Sequence, residues 1–250
     1  AASRAPRLAA RTAAGAPDKL SGLVFEPFAE VKTELAVVES KGAAGNESLA
    51  RSAYAAGVEA AFNEQINIEY NISYVYHAMA CYFARWGVGG GGGRRWEAGC
   101  DCARADHPSP LPSLLHSDNI ALLGIAAHFK TESDEERAHA QKLMDYQIRR
   151  GGRVALAPLA APLTEFAGAP ADGDALHAYK LALSLEKLNY AKLRALHDVA
   201  SGAGDTGACT MVEDMLAEQE ASVKAVADAV AQLRRVGPGL GTWQYDKQVA

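Results

Sequence analysis

The sequence has few cysteines, no long apolar run and no excess of basic residues, and each of these absences argues against a class of protein. Four cysteines in 250 residues are too few and too scattered for the disulfide framework of a secreted protein, so a reducing compartment is expected. No run of about 18 apolar residues occurs, so no membrane-spanning helix is predicted and the protein is expected to be soluble. A net charge of -5 offers no basic surface to a nucleic acid, whereas it suits metal cations.

The 49% of hydrophobic residues is arranged mainly with the period of a helix. Apolar spacing and Gly or Pro stops predict four long helices: from Ser48 to about Trp86, from after Ser117 or Asp118 to Gly151, from Asp172 or Asp174 to about Ala200, and from about Ala208 to Val236. No segment shows the alternation of a strand. Residues 153–171, with three prolines, are long enough to cross the length of a bundle. The predicted fold is therefore an all-α four-helix bundle with one long crossover.

The first residues have a different composition from the rest. Residues 1–17 contain arginines, alanines and no acidic residue, a composition typical of an organelle transit peptide or, alternatively, of a basic tail. Residues 20–47 predict an arm followed by a short helix after Pro27. We therefore expect three regions: a transit-peptide-like segment over 1–19, an extension over 20–47, and a helical domain over 48–250.

Polar residues interrupt the apolar faces of all four long helices. Glu69 lies on an apolar stripe of the first helix, with Tyr76 two turns further along the same face, and Glu136 and His139 on the second helix have the Glu-x-x-His spacing that directs both side chains to one point. The third and fourth helices contribute Glu186 and Gln219. Because buried carboxylates require a counter-charge, and oxygen donors with one imidazole suit iron, the set predicts a pair of bound iron ions.

Each of these residues also has a simpler interpretation. A single Glu-x-x-His occurs by chance on exposed helices, Glu69 could be a solvated charge, and Tyr76 could be a core tyrosine with its hydroxyl at the rim. The fourth helix lacks the second Glu-x-x-His of the usual di-iron bundle. Asp174 and His177 have that spacing, but they lie at a helix start and are interpreted as capping and surface groups. The joint occurrence on four helices favours the metal site.

Several long segments resemble ferritins of the plant plastid type: NEQINIEYNISYVYHAM, SDEERAHAQKLMDYQIRRGGR, DALHAYKLALSLEKLN and LAEQEASVKAVADAVAQLRRVG. GLVFEPFAEVKTEL resembles the extension peptide of plant ferritins. The resemblance implies a ferritin-like domain with an N-terminal extension helix and a short C-terminal fifth helix. It also implies ferroxidase activity, iron storage in an octahedral shell of 24 subunits, and a location in the chloroplast.

The resemblance further implies a role for each matching residue. Glu69, Glu136 and His139 would hold one iron, and Glu136 as a bridge, Glu186 and Gln219 would hold the second more loosely. Tyr76 would form a hydrogen bond beside the site, and Glu135 would be a nearby relay carboxylate that can also bind metal. Two Fe(II) ions per subunit would be oxidised to Fe(III) by dioxygen and passed to a mineral. Weaker binding of the second iron favours release of that ion once it is oxidised.

The chain departs from the family pattern in two places. Ala138 and Gln141 stand where acidic residues commonly face the cavity, which predicts weaker mineral nucleation. The segment ACTMVEDMLAEQ is one residue short, so the acidic pair of the three-fold channel corresponds either to Thr210 with Glu213 or to Cys209 with Val212, and the first is favoured. Glu213 and Asp214 could still form an acidic mouth.

The segment Trp86–Ser117 is the clearest anomaly, because its removal joins FAR directly to DNIALLG as in the family. We interpret this segment as an addition at a helix–helix loop that has no role in the chemistry. A retained intron is one source of such an addition. The alternative is a metal site, for which the candidate ligands are Cys100, Cys102, His107 and His116. A lone Cys-x-Cys lacks the second pair of a zinc module, which weakens that alternative.

Three functions remain open at the level of sequence. The first is a ferroxidase ferritin, assembling alone or with a second ferritin subunit. The second is a di-iron oxidoreductase that stores no iron, against which Gln219 and the plant-type extension argue. The third is an inert shell subunit, which would be expected to lack Glu136 or His139.

Overall fold

The computed structural model describes residues 48–85 and 120–250, together with residues 31, 32, 35, 36 and 38–40. The chain divides into two units, Ala1–Leu49 and Ala50–Ala250, and the described residues between 31 and 40 are helical. The second unit contains five helices among its described residues: α1 (Ala56–Phe83), α2 (Leu123–Arg149), α3 (Gly173–Gly202), α4 (Thr206–Val236) and α5 (Leu240–Gln248). No strand occurs in the described ranges, and none of their helices is long and apolar enough to cross a membrane.

The four long helices pack as a bundle, with α1 along α2, α3 along α4, and α1 also against α3. The short helix α5 contacts α2 and α4. This arrangement confirms the predicted all-α bundle with a long crossover between α2 and α3 and a short fifth helix.

The apolar core consists of two clusters, one at each end of the bundle. The first is built around aromatic residues including Phe83, Phe129 and Tyr179, and the second around residues including Phe62 and Leu143. Each long helix contributes to both clusters, and on each helix a predicted ligand lies where one cluster gives way to the other. These positions are Glu69, Glu136, Glu186 and Gln219. A layer of buried polar groups therefore divides the core.

The predicted start of the first helix is wrong, because α1 begins at Ala56 and not at Ser48. The residues just before α1 are held by tertiary contacts that a local pattern does not reveal. Buried Tyr54 donates a hydrogen bond to Oε1 of Gln147 at 2.6 Å, and Arg51 pairs with Glu59 at 2.5 Å. These contacts stabilise a non-helical path. The helix ends at Phe83, three residues before the predicted end.

The other boundaries agree with prediction at their C-terminal ends to within two residues. Helix α2 begins at Leu123, and the predicted start at Ser117 or Asp118 lies outside the described residues. Asp172 occupies the N-cap of α3 but makes no capping hydrogen bond, since its carboxylate pairs with Lys180 at 2.5 Å. The cap of α4 is Asp205, whose side chain accepts from the backbone N–H of Ala208 at 3.0 Å.

The N-terminus of α2 is capped from the far end of the chain. Oδ1 of Asp246, on α5, accepts a hydrogen bond from the backbone N–H of Ile125 at 3.0 Å. Gly124 permits this approach, since a Cβ at that position would lie 1.9 Å from the Asp246 carbonyl oxygen. Helix α5 therefore satisfies a donor that α2 cannot satisfy itself.

The crossover after α2 is held against α1 by a ladder of asparagines four residues apart, Asn63, Asn67 and Asn71. Asn63 donates to the Arg153 carbonyl oxygen at 3.0 Å and accepts from Ala155 N–H at 2.9 Å. Asn67 donates to the carbonyl oxygens of Ala157 and Pro158 at 3.2 Å, and Asn71 accepts from Ala160 N–H at 2.8 Å. The amides supply partners that a strand would otherwise provide.

Several sequence predictions lie on residues that the structure does not describe. These are the transit-peptide-like segment, most of the extension, the segment Trp86–Ser117 and the alternative ligands Cys100, Cys102, His107 and His116. The residues that flank the insertion are described and lie together: Leu122 N–H donates to the Phe83 carbonyl oxygen at 3.1 Å.

Candidate metal centre

The polar layer brings together three predicted ligands from two helices. Glu69 on α1 and Glu136 and His139 on α2 have ligand atoms that all lie within 4.8 Å of one another. Glu69 is 0% exposed and Glu136 is 4% exposed, while the imidazole is partly accessible. Nδ1 of His139 lies 3.4 Å from Oε2 of Glu136, as expected for side chains three residues apart on one helical face. Among the described residues this is the one such group of three His, Cys, Asp or Glu side chains.

Burial and mutual repulsion disfavour the ionised form of the two carboxylates of this group when no cation is bound. Burial raises the pKa of Glu69 well above its ordinary value, and the neighbouring Glu136 raises it further. Burial also raises the pKa of Glu136 to about 7. The one basic side chain that pairs with either of them within the described ranges is His139. A cation bound between the carboxylates would supply the missing positive charge.

Glu186, Gln219 and Tyr76 form a second, adjacent group. The Tyr76 hydroxyl donates to Oε1 of Glu186, and the Gln219 amide donates to Oε2 and, at 3.2 Å, to the backbone oxygen of the same residue. All three side chains are buried. Burial raises the pKa of Glu186, and the two donated hydrogen bonds partly offset that effect. Each carboxylate oxygen of Glu186 therefore accepts one hydrogen bond, and Tyr76 is a buried partner of the site with its hydroxyl away from the rim.

Two buried amides connect these groups, and the sequence prediction missed both. Gln65 donates to Oε1 of Glu69 and to Oδ1 of Asn189, each at 2.7 Å. Asn189 donates to Oε2 of Glu69 at 3.0 Å and to Oε1 of Gln219 at 3.1 Å. Gln65 lies four residues before Glu69 on the same face, which is a signal that could have identified it. Asn189 gives no such signal, because its role depends on the position of α3 against α1 and α4.

Glu218 approaches the imidazole from the outer side. Its Oε2 lies 3.5 Å from Nε2 of His139, and its Oε1 lies 3.0 Å from Nζ of Lys142. A carboxylate on the second ring nitrogen is the usual means of fixing the orientation of a metal-binding histidine. The imidazole of His139 therefore lies between two carboxylates, with Nε2 facing Glu218 and Nδ1 facing Glu136.

Glu135, predicted as a relay carboxylate, is exposed and does not join the three-residue group. It lines a cavity of ≈ 330 Å³ together with His128, Glu132 and Tyr179. Nδ1 of His128 lies 3.6 Å from Oε1 of Glu132. Burial raises the pKa of Glu132 to about 7, and Glu135 and Glu186 act in the same direction. Glu132 was not predicted from the sequence, although it lies one turn before Glu136.

The two alternatives for the channel residues differ in burial. Val212 is 0% exposed within the subunit, whereas Thr210 and Glu213 are exposed. Oε1 of Glu213 lies 3.1 Å from Nε2 of His197 on α3. This geometry favours Thr210 with Glu213 as the solvent-facing pair. Cys209 and Cys81 are both partly buried.

Ala138 and Gln141 are exposed on α2, so the structure places them where the sequence predicted a solvent-facing surface. The Gln141 amide donates to Asp145 at 2.7 Å. Asp174, in the first turn of α3, accepts from Gly168 N–H at 2.9 Å and from the Tyr82 hydroxyl at 2.8 Å, so it stabilises the end of the crossover and takes no part in the centre.

The donor set of the layer fits iron. It offers carboxylate oxygens and one amide oxygen with a single imidazole, and no thiolate is among the grouped residues. Three carboxylates at the junction of two apolar clusters carry a desolvation cost that divalent cations would offset.

Comparison with known proteins agrees with this fold. A family model described as Ferritin-like domain matches residues 115–236. Ferritin-2, chloroplastic, from Vigna unguiculata is 46% identical over 251 residues, covering 99% of this chain and 86% of the relative. Ferritin-4, chloroplastic, from Arabidopsis thaliana is 46% identical over 233 residues, covering 93% of this chain and 76% of the relative.

A solved structure shows the same similarity in three dimensions. The crystal structure of ferritin from the multicellular green alga Ulva pertusa matches with a TM-score of 0.74 and 46% identity, covering 90% of this chain and 98% of that one. The match therefore extends over nearly the whole of both chains. The chain belongs to the ferritin family, whose members are iron-storage proteins.

Proposed function

We propose that this chain is a ferroxidase subunit of an iron-storage shell. Two Fe(II) ions bind in the polar layer, each loses one electron to dioxygen, and the ferric product moves to a mineral enclosed by the assembled subunits. The observation that carries the proposal is the convergence of buried Glu69 and Glu136 with partly exposed His139, while neither carboxylate has a lysine or arginine partner among the described residues.

The two halves of the centre have different chemistry. Glu69, Glu136 and His139 form the firm half, because their ligand atoms already converge. Glu186 and Gln219, with Glu136 as the bridge, form the loose half, because Gln219 directs its amide nitrogen at Glu186 and its oxygen at Asn189, and it must turn before that oxygen can bind a shared cation. Since protons and cations compete for Glu136, iron binding releases protons. Glu135 and Glu132 extend the carboxylates towards the adjacent cavity and offer a route for ions leaving the centre.

Membership of the ferritin family supports the proposed shell and the location in the chloroplast. The curated relatives are named chloroplastic ferritins, and this chain acts in the chloroplast. A closed shell of 24 copies, alone or mixed with a second ferritin subunit, would enclose the mineral. Thr210 and Glu213 form the solvent-facing pair that would receive Fe(II) at the three-fold channel, with Nε2 of His197 3.1 Å from Oε1 of Glu213.

The test is rapid mixing of anaerobic Fe(II)-loaded protein with oxygenated buffer, followed by absorbance and oxygen consumption. Glu136→Ala and His139→Ala should each abolish the fast phase and leave the assembled size unchanged in size-exclusion chromatography. Glu64→Ala is the matched control and should retain the fast phase, since Glu64 is exposed and its carboxylate pairs with Lys192 at 3.1 Å, away from the centre.

Three results would contradict the proposal. Unchanged kinetics in both variants would remove the assigned centre. A small oligomer that retains its iron would indicate a di-iron oxidoreductase without storage. A large shell that oxidises iron no faster than buffer would indicate an inert structural subunit.

A further inference from the structure

We infer that Asn189 is a positioning residue that sets the unequal affinities of the two halves of the centre. Asn189 is 0% exposed and lies between the firm and loose halves, and its single amide group contacts a ligand of each. The inference rests on the proposed function, because it concerns the same pair of cations.

The orientation of the Asn189 amide is fixed by its neighbours. Its nitrogen donates to Oε2 of Glu69 at 3.0 Å and to Oε1 of Gln219 at 3.1 Å, while its oxygen accepts from Gln65 at 2.7 Å. The reverse orientation would place an amide oxygen against a carboxylate oxygen and would point an NH₂ group at the Gln65 donor. The side chain therefore has one satisfied arrangement, in which all three of these bonds form.

In this arrangement Asn189 supports the firm half. Glu69 accepts one hydrogen bond on each carboxylate oxygen, from Gln65 and from Asn189. Each oxygen keeps further lone-pair capacity for a cation shared with Glu136 and His139. Two donors on opposite sides fix the plane of the carboxylate, so that a cation finds Glu69 already oriented.

The same amide restrains the loose half. A glutamine side chain binds a cation only through its oxygen, and that atom of Gln219 is held by Asn189. With the oxygen held in this way, the nitrogen of Gln219 faces Glu186 and donates to Oε2. A second cation must therefore turn Gln219 or compete with its hydrogen bonds, which weakens binding on that side.

These contacts predict opposite changes at the two halves when Asn189 is replaced. Asn189→Leu removes the donor to Glu69 and frees the oxygen of Gln219, and it retains the branched side-chain skeleton of four heavy atoms. The first cation should bind more weakly and the second more tightly. The ratio of the two dissociation constants should fall by about tenfold, the change expected when a hydrogen bond to a charged group is lost. A residue that served only packing would instead weaken both cations together or neither.

The experiment is anaerobic titration of the assembled, metal-free protein with Co²⁺, followed by calorimetry and by the visible absorption of the bound ion. Asn189→Leu should show two dissociation constants that have moved towards each other. Gln65→Leu should weaken the first ion and leave the second within about twofold, since Gln65 does not touch Gln219. Tyr190→Phe is the matched control, because the hydroxyl of the neighbouring Tyr190 donates to exposed Glu220 at 3.0 Å, away from the centre. Both Co²⁺ dissociation constants should be unchanged in this variant.

The outcomes separate this inference from the proposed function. If the wild-type protein binds no pair of Co²⁺ ions, the proposed centre fails. If it binds two unequal ions and Asn189→Leu retains their ratio, only the role of Asn189 is wrong. Asn189→Ala removes the same hydrogen bonds and decides the question if the leucine variant does not assemble. In turnover with Fe(II), the variants should change KM more than kcat.

Discussion

The backbone N–H of Ala121 donates a hydrogen bond to the carbonyl oxygen of Arg85 at 3.3 Å, across the whole inserted segment. The chain thus leaves α1 and returns to α2 at the same place, and the connection between the two helices is closed by hydrogen bonds among residues on either side of the insertion.

Deleting Trp86–Ser117 should therefore leave the bundle and its centre intact. The remaining residues after Ser117 suffice for a short helix–helix loop, and shortening a loop costs little conformational free energy. Assembly by size-exclusion chromatography and the fast phase of Fe(II) oxidation should match those of the full chain. Loss of either would show that the insertion has a function, and Co²⁺ or Zn²⁺ binding by its cysteines and histidines would then be examined.

Tyr76→Phe should slow iron oxidation and lower the free energy of unfolding by about 1 kcal/mol, because Glu186 loses a buried donor. Tyr82→Phe is the matched control. Its hydroxyl also donates to a carboxylate, Asp174, at 2.8 Å, but away from the polar layer. The control should lose a similar amount of stability while retaining the oxidation rate. Equal rates in wild type and Tyr76→Phe would show that the tyrosine has only a structural role.

The metal-free protein should become less stable as the pH rises through the range in which Glu69 and Glu136 ionise. Both have folded-state pKa values raised by burial, that of Glu136 to about 7 from 4.5. Between these values the folded chain binds more protons than the unfolded chain, so the free energy of unfolding falls with rising pH. The thermal midpoint should therefore drop between about pH 5 and pH 8.

Two comparisons check the origin of that pH dependence. Glu136→Gln should flatten the slope, because it removes one of the groups that take up a proton on folding. Saturating Co²⁺ should also flatten it, because a bound cation replaces the protons. If the dependence of stability on pH is as steep or steeper in Glu136→Gln, the effect belongs to other groups.

Glu213→Gln should slow Fe(II) oxidation by the assembled shell without changing the thermal midpoint appreciably. The Glu213–His197 pair is exposed, and such pairs contribute little to stability. Val212→Ala should do the reverse: it removes buried methyl groups and should cost about 1–2 kcal/mol of stability while leaving oxidation by folded protein unchanged. The opposite pattern would indicate that Cys209 and Val212 are the channel pair.

The sequence predicted those parts of the centre that depend on a single helix. Glu136 and His139 converge because three residues nearly complete a turn, and Glu69 was recognisable because it interrupts an apolar stripe. The contacts of Asn189 and Glu218 depend on the register of α3 and α4 against other helices, which periodicity does not specify. The start of α1 was wrong for a similar reason, since Tyr54 is fixed by Gln147 on another helix.

The asparagine ladder makes the crossover dependent on α1 for its hydrogen bonds. The amide protons of Ala155 and Ala160 are bonded to side chains that align only when α1 is helical. Their hydrogen exchange would then report the opening of a helix from which they are distant in sequence, and the loop would dock only after α1 has formed. The crossover between α2 and α3 therefore follows the helix it crosses, and its order in folding is set by three amide side chains.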